Sequence, residues 1–172
     1  MSSLNPRHTV GRIVASPIKR YGIDAPEKRA YEALERVGLS TAFAKRYPHE
    51  LSGGQRQRVG IARAVALNPA FILADEIVSG LDVSSQAQVL TLLRGLAADM
   101  NLTIAFISHD LSVIRTVCSQ VMVLNRGEIV EAGRCDQVFD APQSEVTHAL
   151  IDAIPLPEMD DGWFDSIKLD KV

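Results

Sequence analysis

Two adjacent carboxylates, Asp75 and Glu76, stand directly after the apolar run from Phe71 to Ala74. Such a run is typical of a strand that is buried on both faces of a parallel sheet, and ligands bind at the carboxyl ends of these strands. In a site for phosphoryl transfer, Asp75 would bind Mg²⁺ and Glu76 would orient or deprotonate the attacking water. A solvated pair of helix-capping acids is the alternative interpretation.

A hydroxyl and two glycines occur at a predicted helix start, in the string Leu51-Ser52-Gly53-Gly54-Gln55. Ser52 can cap this helix, and the N–H groups of the first turn, together with the positive end of the helix dipole, attract anions. Glycine also lets a phosphate approach the backbone closely. A glycine-rich turn with a serine cap is the alternative, but the string in combination with the acid pair predicts a nucleotide site.

A third candidate, His109, follows another apolar run, Thr103 to Ile107. If the two predicted strands are parallel, His109 lies at the same sheet edge as Glu76. An imidazole at that edge could donate a hydrogen bond to the γ-phosphate of a nucleotide and to the attacking water. A lone histidine is more often structural, so this prediction depends on the position of His109 in the predicted sheet.

Helices and strands alternate along the sequence in a way that can position these residues. Residues 10 to 50 form a small helical region, a helix follows Ser52, and Ser84 or Ser85 begins the helix between the two predicted strands. A hairpin is predicted from Val121 to Glu131, and a last helix over residues 143 to 153. This alternation predicts an α/β layered fold with parallel strands.

The composition is that of a globular protein, with 172 residues of which 47% are apolar and 23% charged. The formal net charge of −3 gives no electrostatic reason to expect a nucleic-acid partner. No apolar run approaches the ~20 residues that span a bilayer, so we expect no direct insertion into a membrane. Cys118 and Cys135 lack the spacing of a zinc site or a disulfide framework, and a reducing, cytosolic setting fits them.

The usual first part of an ATP site is absent from the sequence. Such a site normally holds the phosphates with a G-x-x-x-x-G-K-[ST] loop, whose backbone N–H groups form a nest and whose lysine reaches the terminal phosphates. No glycine in this chain is followed by lysine. We therefore expect the chain to supply only one side of a site for ATP and Mg²⁺.

These motifs, in this order, resemble the C-terminal part of the ATP-binding subunit of an ABC transporter, and the resemblance covers nearly the whole chain. It implies a P-loop NTPase-like α/β domain, truncated at its N-terminus, with a small helical subdomain. By this resemblance the string from Leu51 to Gln55 is the signature motif, and Asp75 ends the Walker B strand. Glu76 is the catalytic carboxylate, Asp82 lies in the D-loop, and His109 is the switch histidine.

The resemblance implies a role in ATP hydrolysis for each of these residues. Glu76 and His109 would be catalytic and Asp75 would bind Mg²⁺, at a nucleotide bound to the same chain. The implied nucleotide-binding residues are Ser52, Gly53, Gly54, Gln55 and Asp82, of which the first three would contact ATP held by a partner chain. The implied partner is a second ABC ATPase subunit, in a homodimer or a heterodimer.

Other segments are most similar to the importers of di- and oligopeptides, nickel and glutathione. They are Ser2 to Arg7, Tyr47 to Glu50, Leu81 to Ser84 and the late stretch from Ala141 to Pro155. This similarity implies a subunit that powers the import of peptides or similar small solutes through membrane-embedded permease subunits. It also implies a cytoplasmic protein, peripheral on the inner face of the cell membrane.

The motifs divide the chain into three predicted parts. Residues 1–50 are a remnant of the helical subdomain, 51–140 the ABC ATPase core, and 141–172 a C-terminal extension of the peptide-importer type. In the family, the Walker A segment and the Q-loop glutamine would lie just before Ser2. We therefore expect a truncated gene product or an engineered fragment that is inactive by itself.

Two other hypotheses remain. In the first hypothesis, the chain is a catalytically dead remnant that acts only as a folded interaction module. The missing phosphate loop favours this hypothesis, as does Ile77-Val78, where family members usually have Pro-Thr. The second is an ABC-type ATPase of DNA repair or translation, and the absence of long coiled-coil or basic insertions counts against it.

Overall fold

The computed structural model describes residues 4–153. Within this part of the chain, no helix is both long and apolar enough to cross a membrane. The chain divides into two compact units, of which the first ends at His109 and the second begins at Asp110. Most of the predicted C-terminal extension, residues 154–172, lies outside the described residues. The three-part division at residues 50 and 140 follows motif roles rather than contacts, and it stays a prediction.

The first unit begins with three α-helices and two short 3-10 helices. They are α1 Val10–Arg20, α2 Pro26–Arg36, the 3-10 helices Thr41–Lys45 and Pro48–Glu50, and α3 Gly53–Val65. The three α-helices contact one another. Their apolar residues recur at helical spacing, as Val14 and Ile18 do on α1, so that each helix buries one face. The predicted helical region over residues 10 to 50 is confirmed.

A pair of parallel strands joined by a helix completes the first unit. β1 is Phe71–Asp75, α4 is Val83–Met100 and β2 is Thr103–Ile107. The strands pair in parallel, with Asp75 opposite Ile107. Because both strands end at the same edge, the residues that follow them meet there. The predicted parallel strands and their shared edge are confirmed.

The expectation that these strands are buried on both faces is wrong. Side chains alternate across a strand, and one face of the pair has exposed apolar residues: Phe71 is 54%, Leu73 58% and Ile107 48% exposed. Ala74, which points to the other face, is buried. A continuous apolar run indicates two covered faces, but within the described residues this two-stranded sheet is covered on one face only.

Helix α4 begins earlier than the sequence predicts. Its N-cap is Asp82, rather than Ser84 or Ser85. The Asp82 carboxylate accepts hydrogen bonds from the backbone N–H of Ser85 at 2.9 Å and from the Ser85 hydroxyl at 2.7 Å. A negative charge also interacts favourably with the positive end of the helix dipole, which favours the aspartate over the two serines as the cap.

Up to residue 153, where the described part of the chain ends, the second unit contains a hairpin and three short helices. They are α5 Leu111–Val117, β3 Gln120–Asn125, β4 Glu128–Arg134, α6 Cys135–Asp140 and α7 Glu145–Asp152. β3 and β4 are antiparallel, and the two residues between them, Arg126 and Gly127, have φ of 51° and 88°, as a two-residue hairpin turn requires. The predicted hairpin is confirmed. α6 is not predicted, because six residues are too few to show a helical period.

The carboxylate of Glu131 connects β4 to α7. Its Oε1 accepts a hydrogen bond from the backbone N–H of Gln143 at 2.9 Å, and its Oε2 accepts one from the N–H of Ser144 at 3.0 Å. Ser144 is the N-cap of α7. Glu131 therefore fixes the chain just before the helix begins, and it places a negative charge near the helix N-terminus.

We expect Glu131→Gln to loosen α7. A carboxamide has a single accepting oxygen, so one of the two N–H groups loses its acceptor. Amide hydrogen exchange should become several-fold faster within Glu145–Asp152. Glu128→Gln, a change at an exposed position of the same hairpin, is the matched control. Equal protection of α7 in both variants would contradict this role of Glu131.

Candidate functional site

The carboxylate of Glu76 and the imidazole of His109 meet at the carboxyl edge of the β1–β2 pair. His109 Nδ1 lies 2.9 Å from Glu76 Oε1, and the same oxygen accepts a hydrogen bond from the backbone N–H of His109 at 3.2 Å. A carboxylate oxygen can only accept a hydrogen bond, so the ring tautomer with its proton on Nδ1 is the one that would donate to Glu76. The structure therefore brings together the two residues that the sequence predicts as catalytic.

Both side chains of this pair remain accessible to solvent. The Glu76 side chain is 39% exposed and the His109 side chain 77% exposed. Water screens the attraction between groups at this exposure, so the pair contributes little to the stability of the fold. The hydrogen bond instead fixes the position of one carboxylate oxygen at an edge that a ligand can reach.

The backbone at Glu76 lies in the left-handed region, with φ of 50°. Residues with a side chain rarely adopt this conformation, which costs about 1 kcal/mol. The N–H of Glu76 donates to the carbonyl of Ile107 at 3.0 Å, and so extends the pairing of the strands by one residue. The chain then turns out of the strand, and the Glu76 side chain reaches His109.

Asp75 is the last residue of β1, and its side chain is exposed. A carboxylate in this setting suits Mg²⁺, which proteins bind with one or two carboxylates together with phosphate oxygens and water. Between residues 4 and 153, no group of three or more His, Cys, Asp or Glu side chains could hold a metal ion by itself. The role of Asp75 as a ligand of Mg²⁺ stays a prediction.

The N-terminus of α3 is closed by a reciprocal capping box. The Ser52 hydroxyl accepts a hydrogen bond from the N–H of Gln55 at 3.3 Å, and the side-chain oxygen of Gln55 accepts one from the N–H of Ser52 at 3.0 Å. Ser52 is therefore the N-cap, as predicted. In the part of the chain that the structure describes, the box leaves the N–H groups of Gly53 and Gly54 as the outward donors of this turn.

The two glycines let the start of α3 approach the start of α4. A Cβ at Gly53 would lie 3.2 Å from Leu81 Cδ2, and a Cβ at Gly54 would lie 3.7 Å from the Ser85 side chain. Gly53 is therefore the tighter of the two positions. A pocket of about 270 Å³ lies beside this contact, and its lining includes Ser52, Gly54, Gln55, Arg58, Ser85 and Gln88.

Asp82, the N-cap of α4, lies at the same contact between α3 and α4. Hydrogen bonds from the backbone N–H of Ser85, and then from its hydroxyl, lower the pKa of the Asp82 carboxyl, so Asp82 is ionised at neutral pH. Its capping contribution is fully present above the ordinary pKa of aspartate and is lost as the pH falls through the lowered value. The predicted contact of Asp82 with a nucleotide stays a prediction.

The predicted site residues thus form two groups. Asp75, Glu76 and His109 lie at the sheet edge, and the string from Ser52 to Gln55 lies with Asp82 at the α3–α4 contact. Three further residues of this contact are not assigned to the site from sequence: Ser85, Arg58 and Gln88. An aspartate at the N-cap accepts a hydrogen bond from the N–H of the second or third helical residue, so a predicted cap at Asp82 could have identified Ser85. No local pattern indicates that Arg58 and Gln88 meet.

Comparison with known sequences gives the family relationship. The family model described as ABC transporter matches residues 1–79. The chain is 46% identical over 163 residues to the oligopeptide transport ATP-binding protein OppF of Bacillus subtilis (strain 168), and 44% identical over 164 residues to the protein of that name from Escherichia coli (strain K12). A putative peptide import ATP-binding protein of Brucella ovis is 49% identical over 162 residues.

These alignments cover nearly all of this chain but only part of each relative. They include 92%, 93% and 92% of this chain, and 53%, 49% and 51% of the proteins from B. subtilis, E. coli and B. ovis. The chain therefore spans about half the length of the curated relatives that it matches.

The fold is similar to that of a bacterial ABC transporter cassette solved as a dimer, with a TM-score of 0.66 and 34% identity. That match covers 77% of this chain and 59% of the cassette. A dimeric cassette in a post-hydrolysis state, bound to ADP and Pi, is similar with a TM-score of 0.66 and 33% identity. The predicted fold class, an α/β domain of the ABC ATPase type, is confirmed.

We expect Glu76→Gly to be more stable than Glu76→Ala by about 1 kcal/mol in the free energy of unfolding, because glycine adopts a positive φ without strain. Both variants lose the contact with His109, so the comparison isolates the backbone. Denaturant unfolding measures the difference. At Glu32, an exposed position within α2, the same two substitutions should rank in the opposite order. Equal stability of the two Glu76 variants would contradict strain at this position.

Proposed function

Because this chain belongs to the ABC transporter family, we propose that it forms part of an ATPase subunit that powers the import of peptides or similar small solutes. The hydrogen-bonded pair of Glu76 and His109, at the carboxyl ends of two parallel strands, is the main support. Ligands of open α/β sheets bind at this edge. The names of the relatives, oligopeptide transport and peptide import ATP-binding proteins, support the substrate class.

In the proposed reaction, water attacks the γ-phosphorus of ATP, and the bond to the bridging oxygen of ADP breaks to give ADP and inorganic phosphate. Glu76 orients this water and accepts its proton as the catalytic base. Its Oε1 faces His109, so we assign proton acceptance to Oε2. His109 holds the carboxylate through Nδ1 and, when protonated, donates from Nε2 toward the γ-phosphate.

Asp75 is the proposed ligand of Mg²⁺. Its exposed carboxylate at the end of β1 supplies the oxygen ligand that this ion prefers. When bound, Mg²⁺ would neutralise charge on the phosphate oxygens of ATP.

Ser52, Gly53 and Gly54 are proposed to contact the phosphate of an ATP molecule bound by a second ABC ATPase subunit. The two glycine N–H groups point out of the helix N-terminus, and the Ser52 hydroxyl, which accepts from Gln55, can still donate its own proton. Gln55 maintains the cap, and Asp82 fixes the start of α4 beside it. The dimeric state of the similar cassette supports a two-subunit arrangement.

Two kinds of partner follow from this proposal. The second ATPase subunit is a copy of this chain's full protein or a related chain. Permease subunits within the membrane couple hydrolysis to transport, so the ATPase acts peripherally at the cytoplasmic face. A catalytically inactive interaction module is the competing proposal.

We expect negligible ATP hydrolysis by the 172-residue chain alone, because its sequence has no G-x-x-x-x-G-K-[ST] loop to hold the phosphates. Loss of groups that position and neutralise the phosphoryl group costs on the order of 10³ in rate. The extended chain, defined as this sequence fused behind the loop-containing part of a related ABC cassette, should hydrolyse ATP. Glu76→Gln should abolish that activity, which phosphate release measures.

Two outcomes would overturn these expectations. Turnover by the unextended chain that disappears in Glu76→Gln would show that the chain needs no added phosphate loop. A folded, ATP-binding extended chain without turnover would favour the inactive interaction module.

We expect Ser52→Arg and Glu76→Gln to affect different nucleotides in a dimer of extended chains. Glu76→Gln removes the base and leaves ATP trapped, whereas Ser52→Arg puts bulk and charge where the phosphate must meet the helix. In a mixed dimer with one variant on each chain, both changes fall on one composite site if Ser52 acts in trans. The Glu76→Gln site should then trap no ATP.

Nucleotide trapping per site in defined heterodimers is the measurement. The dimer of two Glu76→Gln chains is the control and should trap ATP at both sites. Normal trapping at the Glu76→Gln site of the mixed dimer would mean that Ser52 acts on its own chain's nucleotide, and would refute the trans contact.

A further inference from the structure

A single guanidinium connects three helices near the start of α3. Arg58 Nη1 donates to the carbonyl of Val37 at 3.0 Å, and Nη2 donates to Oε1 of Gln88 at 3.3 Å. Val37 is the C-cap of α2, and Gln88 lies in α4. One side chain of α3 is therefore hydrogen-bonded to both neighbouring helices, less than two turns after the Ser52 cap.

The turn after α2 is shaped around this guanidinium. Gly38 has φ of 71°, and a Cβ at this position would lie only 2.9 Å from Arg58 Nη1. Any side chain at residue 38 would therefore displace the Arg58 head group. The arrangement of Arg58 depends on a glycine at the C-terminus of α2 as well as on its two hydrogen-bond acceptors.

Arg58 and Gln88 line the same pocket as Ser52 and Gly54. The N–H groups of Gly53 and Gly54 point along the axis of α3, so a shift or rotation of α3 against α4 would move both donors. The first turn of α3 already packs closely on α4, because a Cβ added at Gly54 would be in van der Waals contact with the Ser85 side chain. The bond from Arg58 to Gln88 fixes the same two helices against each other one to two turns further on.

We propose that Arg58 is a positioning residue for ATP hydrolysis. Its two hydrogen bonds, to α2 and α4, set the direction of the first turn of α3 and so place Ser52, Gly53 and Gly54 against the phosphate. The assignment rests on the proposed trans contact of Ser52. A displacement of about 1 Å at a reacting group can lower a rate by on the order of 10²-fold, so a small movement of α3 is sufficient.

The test compares two heterodimers of the extended chain that contain the same two substitutions. In the split dimer, Arg58→Leu is on one chain and Glu76→Gln on the other. In the joined dimer, both substitutions are on one chain and the partner is unsubstituted. In the split dimer, the α3 helix that completes the Glu76→Gln site belongs to the Arg58→Leu chain. In the joined dimer, that helix belongs to the unsubstituted chain.

We expect ATP trapping at the Glu76→Gln site to fall about tenfold in the split dimer and to remain unchanged in the joined dimer. A general loss of folding by Arg58→Leu would lower trapping in both dimers, and that result would overturn the positioning role. Unchanged trapping in both dimers would overturn it as well. If Arg58→Leu does not fold, Gln88→Leu, which removes only the bond to α4, replaces it in both dimers with the same expectation.

Two further variants sharpen the test. Arg58→Lys keeps the charge but cannot form both bonds of the planar fork, so we expect it to restore trapping only in part. Full restoration would show that charge alone matters and would contradict the positioning role. Arg94→Leu, at an exposed arginine of α4, is the matched control and should leave trapping unchanged in the split dimer.

Ser52→Arg in the same two dimers separates failure of this proposal from failure of the proposed function. If Ser52→Arg lowers trapping only in the split dimer while Arg58→Leu has no effect, the positioning role alone is refuted. If Ser52→Arg lowers trapping only in the joined dimer, the signature acts in cis, and the proposed function and the role of Arg58 are both refuted.

Discussion

The parallel pairing of β1 with β2 is the constraint on which the proposed catalytic pair depends. Asp75 lies opposite Ile107, and the N–H of Glu76 donates to the Ile107 carbonyl. This register brings the Glu76 carboxylate within hydrogen-bond distance of His109 although the two residues are distant in sequence. A shift of the register by one residue would send the side chains to opposite faces and separate the pair. The position of the carboxylate is therefore a property of the strand pairing and the turn that follows.

Neither the backbone conformation of Glu76 nor its contact with His109 stabilises the fold. Glu76 adopts a left-handed conformation that disfavours any side chain, and its contact with His109 is too exposed to stabilise the fold. By contrast, the first turn of α3 is stabilised by hydrogen bonds, because Ser52 and Gln55 cap each other. The capping box directs the N–H groups of two glycines outward, and this combination of a rigid cap with open donors suits a phosphate.

Much of both groups of residues could be predicted because local patterns define them. The string from Ser52 to Gln55 is itself a capping box with glycines inside it, and two apolar runs of strand length locate Glu76 and His109 at one edge. Other features depend on information that is not local. A continuous apolar run cannot show how many faces of a sheet are covered, so the exposure of Phe71 and Leu73 could not be foreseen. The bond between Arg58 and Gln88 joins residues from different helices and has no sequence pattern.

The hydrogen bond between Glu76 and His109 is the feature on which the proposed hydrolytic role most directly depends, and ¹⁵N NMR of the His109 ring tests it in the 172-residue chain. We expect the neutral form of the ring to bear its proton on Nδ1, facing the Glu76 carboxylate. Glu76→Ala should remove the preference for this tautomer, because no carboxylate then accepts from Nδ1. A ring protonated on Nε2 in the unsubstituted chain, with no change in Glu76→Ala, would contradict the account.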